Sequence, residues 1–293
     1  MQLKLIKDYK NIPEYRLSLN ALAGKVFGIE FERWYQLGFW NDCYVCYSFV
    51  DGERVVANVS ASRLDLLWRG ERFRAVQIGA VMTDPEYRGR GLAAQLMNTV
   101  LDEYEAGCDV VYLFANATVL DFYPKFGFAL VRESRFTGEI TEKSGDYGAA
   151  RKLDLANDVD FNLLRRLIRE RQPFSGVLDV DLVADILAWH CLYRYADHLY
   201  YLADPDLVAL CRVEAGALHL YDVIGKEKPE SLQPILKSLA PEGIRKVVFH
   251  FTPDFADVRL QCRPAESTGD AFFIKSATLC LTGEFLYPFT AQA

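Results

Sequence analysis

A chain of 293 residues, 51% hydrophobic and 25% charged, is long enough for more than one ordinary core, so two domains are expected. Its net charge of −7 speaks against nucleic acid as the main partner, because domains that track phosphate backbones gather basic residues. The N-terminus lacks a secretory apolar core, and no apolar run approaches the roughly 18 residues of a membrane span, so a cytoplasmic protein with no membrane partner is expected.

The elements follow in chain order. Residues 3–7 read as a short strand, and residues 14–27 as a helix whose apolar stripe is Leu17, Leu19, Leu22 and Val26. Residues 31–40 form a second, aromatic-rich helical stretch. Residues 44–50 then read as a strand closed by Asp51-Gly52, a hairpin signal, and residues 54–67 as its partner. A turn at Arg69-Gly70-Glu71 leads to a third strand over residues 73–83, which completes an antiparallel meander. Leu92, Leu96 and Val100 recur at helical spacing, so residues 92–104 form an amphipathic helix. The unbroken apolar run over residues 110–115 suits a strand buried on both faces. Residues 117–126 read as a short helix capped by Gly127, and residues 128–131 as the start of another strand.

Near residues 143–149 the chain turns small and polar, and a domain boundary is placed there, giving domains 1–145 and 146–293. The second half repeats the order of the first. It offers a strand at 151–155, helices at 161–171 and 182–193, strands at 199–202, 208–213 and 218–223, a helix at 231–239 and a strand at 246–251. The similarity lies in element order, not in residues.

The most informative stretch is Val81-Met-Thr-Asp-Pro-Glu-Tyr-Arg-Gly-Arg-Gly-Leu-Ala-Ala-Gln95, which runs strand, turn, glycine loop, helix. Gly89 and Gly91 let the backbone turn tightly and approach a ligand. The helix start beyond them offers unpaired N–H groups and the positive end of its dipole, a setting for phosphate. Arg88 and Arg90 add charge and fork donors. A dinucleotide fingerprint formally fits Gly89-x-Gly91-x-x-Ala94, yet Asp84-Pro85-Glu86 separates strand from glycine, and the next strand ends at Ala115-Asn116 without the acid that binds a ribose. A nucleotide P-loop fails for want of Gly-Lys-Ser/Thr. A ligand-free turn remains the plain alternative for the loop taken alone.

The loop resembles the acyl-CoA pyrophosphate loop of the GNAT superfamily of N-acetyltransferases, R/Q-x-x-G-x-G/A, with glycines at Gly89 and Gly91 and a departure at Glu86. A second family pattern, N-x-x-A-x-x-F-Y-x-x-x-G-F, is met by Asn116-Ala-Thr-Val-Leu-Asp-Phe122-Tyr123-Pro-Lys-Phe-Gly127-Phe128, apart from Val119 for Ala. The resemblance covers roughly residues 1–140. Over the second half it rests on element order, and Ile224-Gly-Lys-Glu-Lys-Pro-Glu230 stands where the glycine loop would be, so a tandem type with a degenerate second copy is implied. The implied fold is α+β (mixed α/β): a central, mostly antiparallel sheet flanked by helices, repeated in the second domain.

The resemblance implies an acyltransferase, of the kind transferring groups other than amino-acyl. It would move acetyl from acetyl-CoA to a primary amine by direct transfer in a ternary complex. It implies that Val81, Met82 and Thr83 pair with the pantetheine arm, that a backbone N–H at Val81 or Met82 polarises the thioester, and that Arg88, Gly89, Arg90, Gly91, Leu92 and Ala93 cradle the pyrophosphate. Tyr123 becomes the general acid, with core packing among Phe122, Phe126 and Phe128 as its alternative. Asn116 would hold pantetheine, cap the following helix, or both. The rival class is a non-catalytic acyl-CoA-binding protein whose second domain takes a partner.

The base is unassigned among Glu30, Glu32, Asp42, Gln77 and residues of the second half. The C-terminal carboxylate is a further candidate: the tail over residues 285–293 is apolar enough to dock, and the resemblance to the tandem type implies a C-terminus in the active site. The aromatics from Phe31 through Trp34, Tyr35 and Phe39 to Trp40 fall where the family builds its acceptor slot, though they are ordinary core residues in type. No metal is expected. Cys43 and Cys46 lie three apart in an extended run and so face opposite ways, and the 4 histidines have no chelating spacing. The 7 cysteines are read as reduced thiols. The acceptor is a small-molecule or peptide amine, and the oligomeric state is open, a homodimer included.

Overall fold

The computed structural model describes residues 3–141, 148–265 and 270–293. The first half opens with strand β1 (Lys4–Lys7) and helices α1 (Pro13–Phe27) and α2 (Glu32–Gln36). A meander follows: β2 (Tyr44–Asp51), β3 (Arg54–Trp68) and β4 (Glu71–Thr83). Both hairpin turns have the chemistry their sequence demands. Gly52 takes φ 62°, and Arg69 and Gly70 take φ 50° and 81°, the left-handed pair of a two-residue turn joining Trp68 to Glu71. Helix α3 (Leu92–Tyr104) buries Leu92, Leu96, Met97, Val100 and Leu101, and β5 (Val110–Ala115) runs parallel to β4.

Next come β6 (Ala129–Val131), β7 (Ser134–Glu139), β8 (Arg151–Lys152), helix α4 (Asp158–Glu170), β9 (Leu178–Asp181) and helix α5 (Ala184–Trp189). Asn157 caps α4 by accepting from Val159 N at 2.8 Å. The chain ends with β10 (Leu199–Leu202), β11 (Leu207–Glu214), β12 (Ala217–Gly225), helix α6 (Gln233–Leu239), β13 (Lys246–Phe249), β14 (Leu260–Pro264) and β15 (Ala271–Lys275).

These strands form two sheets with one shared pattern. The first runs β1-β2-β3-β4-β5-β15-β6, with β9 added beside β3; the second runs β8-β10-β11-β12-β13-β7-β14 when read in the same sense. In each, four antiparallel strands lead to one parallel pair, β4 with β5 and β12 with β13, and two antiparallel strands close the sheet. The fold is mixed α/β and repeated. The sixth place of each sheet is filled from the other half: β15 enters the first sheet and β7 enters the second. The sheets therefore exchange strands across the expected boundary at 145/146.

The exchange is held by burial. Phe272 and Phe273 of β15 are 1% and 3% exposed and point to opposite faces, each worth about 2 kcal/mol of transfer free energy. Phe272 stacks on Phe114 at 4.9 Å in the core between the two halves, while Phe273 lies 6.0 Å from Tyr123 in the core under α3.

Several expected elements are shorter than their sequence pattern. The stretch 31–40 is helical only over Glu32–Gln36, because its rings fold back on one another: Trp34 stacks on Trp40 at 5.6 Å. The expected helix at 117–126 is a set of turns ending in a 3-10 turn at Tyr123–Phe126. The helix expected at 182–193 is α5 followed by a wider π turn, His190–Arg194.

The exchange gives a prediction. A fragment of residues 1–145 lacks β15, so β5 and β6 lose the strand between them, and it should be digested rapidly by chymotrypsin while the full chain resists. A stable monomeric fragment with native-like amide dispersion would count against this account of the sheet.

Candidate active site

The site forms where β4 and β5 part. Their parallel register ends at Ile78 opposite Leu113, yet β4 continues to Thr83. On its other edge β4 stays paired to β3 through a bulge: Ser60 faces Gly79 and Asn58 faces Met82, with Ala80 at φ 46°. A buried polar group fixes that bulge. Asn58 donates Nδ2–H to the Ala80 carbonyl and to Ser60 Oγ, both at 2.9 Å, and its Oδ1 accepts from Ser48 Oγ at 2.8 Å. Beyond Ile78, β4 is thus held on one edge and open on the other, and Gly79 to Thr83 line a cavity of about 770 Å³.

The glycine loop sits at one end of this cavity. Gly89 and Gly91 have φ 75° and 73°, a backbone that other residues adopt with strain. The approach turn is pinned by buried Asp84, whose carboxylate takes Lys25 Nζ at 2.9 Å, Arg54 Nη2 at 2.7 Å and Glu86 N at 3.1 Å. Burial works to raise its pKa, but the bonds from Lys25 and Arg54 outweigh it and hold the carboxyl at about 2. Tyr87 anchors the turn through its hydroxyl to Asp51 at 2.6 Å, and the Arg54 and Arg90 guanidiniums lie over its ring at 5.5 and 4.8 Å. Gly91 is the N-cap of α3 and no side chain caps that helix, so its first N–H groups have no side-chain acceptor.

Of the residues implied for the cofactor, Val81, Met82, Thr83, Arg88, Gly89, Ala93 and Asn116 line the cavity. Arg90, Gly91 and Leu92 are not in its wall: Arg90 covers Tyr87, Gly91 caps α3, and Leu92 is buried in the core. Asn116 makes a local turn, accepting at Oδ1 from Thr118 N at 3.0 Å. Tyr123 is 4% exposed, packs edge-on to Phe122 at 5.2 Å and reaches the cavity wall. Burial, with a contribution from the Asp270 charge, pushes its phenol up to about 12. It is therefore both packed and presented to the site, and fully protonated at neutral pH.

The other end of the cavity is built from both halves. Phe31, Trp34 and Tyr44 come from the first, Ile186 and Trp189 of α5 from the second. Trp34 Nε1 donates to the Asp185 carbonyl at 2.8 Å, and Trp189 Nε1 returns a bond to the Glu30 carbonyl at 3.1 Å. The tail also reaches the wall with Gln292 and Ala293. Gln77 clamps it, donating to the Ala291 carbonyl at 2.8 Å and accepting from Ala293 N at 2.6 Å. His190 Nε2 lies 2.8 Å from the Gln292 carbonyl, which can only accept, so Nε2 carries the proton; buried Nδ1 then has no partner. A Cβ placed on Gly79 would lie 3.0 Å from the Ala293 Cβ, so glycine there makes room for the tail.

The side-chain carboxylates considered for the base, Glu30, Glu32 and Asp42, are not in the cavity wall. Glu32 is held by Arg16 at 2.9 Å, Asp42 pairs with Lys10 at 2.7 Å, and Glu30 meets Trp189 only through its backbone. The one side-chain carboxylate lining the cavity, among the described residues, is Asp270, beside Tyr123. No local signal marks Asp270, Ile186 or Trp189, because the exchange of strands and the docking of α5 bring them in from the second half.

Residues 19–131 match the family model described as the acetyltransferase (GNAT) domain. No curated protein matches the chain. Among solved structures, a probable N-acyltransferase from Enterococcus faecalis V583 is 17% identical over 94% of this chain and 73% of its own, with a TM-score of 0.56. Eis1 from Mycobacterium abscessus is 16% identical over 93% and 74%, with a TM-score of 0.58. A GCN5-related N-acetyltransferase from Anabaena variabilis is 18% identical over 93% and 73%, with a TM-score of 0.57. The likeness extends over both sheets and is one of fold. No helix among the described residues is long and apolar enough to cross a membrane.

The histidines make a pH prediction. Burial lowers His190 to about 4 and His250 to about 3, and lowers His198 and His219 in the same direction. The unfolded chain titrates near 6.5, so it binds more protons than the folded one below that pH. Stability is then fully present above about pH 6.5 and is lost as pH falls towards 4. His190 alone accounts for roughly 3 kcal/mol. Urea unfolding of wild type and His190→Gln at pH 7.5 and 4.5 should show a pH dependence about 2 kcal/mol smaller in the variant; equal dependences would remove His190 from this account.

Proposed function

We propose, from the premise that residues 19–131 are a GNAT acetyltransferase domain, that this protein transfers acetyl from acetyl-CoA to a primary amine by direct attack in a ternary complex. The observation that carries the reading is the open edge of β4 from Gly79 to Thr83, which leads to the uncapped start of α3. A donor with a polyanionic head and an amide-bearing arm fits both: pyrophosphate on the N–H groups beyond Gly89, arm amides along the free strand edge. The catalytic part is residues 1–145. Residues 146–293 are a degenerate copy that lends Ile186, Trp189 and Asp270 to the wall, and the cytoplasm is the setting we assign.

The chemistry follows from placement. An N–H at Val81 or Met82 would donate to the thioester oxygen as charge builds on it. The neutral amine nitrogen bonds the acyl carbon, the carbon–sulfur bond breaks, and sulfur leaves with the electron pair. Tyr123 donates to that sulfur. Its pKa of about 12 lies well above a thiol's roughly 8.5, so proton transfer to sulfur is uphill unless the phenol is reprotonated in the same event. The proton shed by the attacking nitrogen supplies that replacement, and the products are amide and neutral thiol.

Tyr123→Phe keeps the packing and removes the donor. It should lower kcat for amine-dependent thiol release about 10- to 100-fold and leave the Kd for CoA within twofold. Full turnover in the variant would remove Tyr123 from the reaction. Acetyl-CoA binding without thiol release for any amine would favour a non-catalytic acyl-CoA-binding protein.

A further inference from the structure

We infer that the acceptor is an apolar primary monoamine, its body aliphatic or aryl, and not a polycation such as a polyamine or an aminoglycoside. The inference rests on the acetyltransferase reading above and concerns the acceptor end of the same cavity. A donor whose pyrophosphate lies on the glycine loop must carry its acyl group along β4, away from that loop. The far end of the cavity is therefore where the acceptor body lies.

That end holds no charged side chain. Its wall comes from the end of α1 and the segment after it (Val26, Phe27, Ile29), from Phe31, Trp34 and Tyr44, and from Ile186 and Trp189 of α5. The platform is rigid. Trp34 is 2% exposed, its Nε1 is used on the Asp185 carbonyl, its backbone N–H bonds Tyr193 Oη at 3.1 Å, and its ring stacks on Trp40. The polar groups of both tryptophans are thus spent on backbone carbonyls, and the two indoles are left with only apolar surface to offer.

The charged side chains of the wall are Arg88 on the glycine loop and Asp270 at the reacting end. Asp270 is the single side-chain carboxylate of the wall among the described residues, and it lies with Tyr123. One ammonium can be met there. Each further ammonium of a polycation would have to enter an apolar wall unpaired, losing its hydration with nothing in return. For a single amine the same surroundings help, because desolvation lowers an ammonium's pKa and raises the neutral, nucleophilic fraction.

The test compares 2-phenylethylamine with spermidine and kanamycin on the full chain. Thiol release from acetyl-CoA is measured, and so is equilibrium binding to the CoA-loaded protein, which needs no turnover. Binding and kcat/KM should favour 2-phenylethylamine at least tenfold. Trp189→Ala should raise its KM about tenfold with the Kd for CoA unchanged, and Trp189→Phe should restore most of it. Phe27, already 42% exposed at the wall, gives a second variant: Phe27→Glu should narrow the preference against spermidine. Spermidine or kanamycin bound or turned over as well as 2-phenylethylamine overturns the inference and leaves the acetyltransferase reading standing. Absence of 2-phenylethylamine binding to the CoA-loaded protein also overturns it. Preferred binding of 2-phenylethylamine without thiol release from any amine supports the apolar amine site and defeats the acetyltransferase reading instead.

Discussion

The insertion of β15 between β5 and β6 is the constraint on which the site depends. It gives β5 a neighbour on the edge that faces away from β4, with Ala271 to Lys275 registered against Ala115 to Val111. With that edge satisfied, β5 can part from β4 after Leu113 without leaving an orphaned sheet. The same strand brings Asp270 beside Tyr123 and seats Phe272 and Phe273 in two different cores. One five-residue strand thus supports the gap and joins the halves, and the residue just before it supplies the carboxylate.

The second sheet shows what becomes of such a gap when it is filled. The β12–β13 register ends at Leu220 opposite Phe249, and β12 continues to Gly225, as β4 does beyond Ile78. A bulge is also kept: Cys211 faces Leu220 and Leu210 faces Asp222, so Tyr221 is the unpaired residue of β12, as Ala80 and Val81 are of β4. The tail covers this region, Phe289 N bonding the His250 carbonyl at 3.0 Å and Thr290 Oγ1 bonding the Asp222 carboxylate at 2.5 Å. A bulky ring and the chain's own backbone occupy the space that the first sheet leaves open. No glycine pair precedes α6, so the anion cradle is missing as well.

The parts of this architecture legible in the sequence are those specified locally. Asp51-Gly52 and Arg69-Gly70 marked their hairpins, the apolar spacing from Leu92 marked α3, and Gly89 and Gly91 marked a left-handed backbone before a helix. Strands β7 and β15 carry no local signal, because each is short and its partners lie in the other half of the chain. The bulge at Ala80 was hidden for a related reason: it is imposed by Asn58, a buried polar residue that looks like any strand residue until its amide meets the Ala80 carbonyl. The aromatics from Phe31 to Trp40 are core residues in type and in place; that some also face the cavity depends on α5, which the first half does not encode.

The exchange of strands also orders events in time. A chain made from its N-terminus completes β1 through β6 long before Ala271–Lys275 is available. Until then the facing edges of β5 and β6 stay unpaired, and the cleft has neither its carboxylate nor the full support of β5. The first sheet therefore cannot be completed ahead of the second half, whose chain must be made before the missing strand is available. The second half acts, in this sense, as a built-in checkpoint on the assembly of the first.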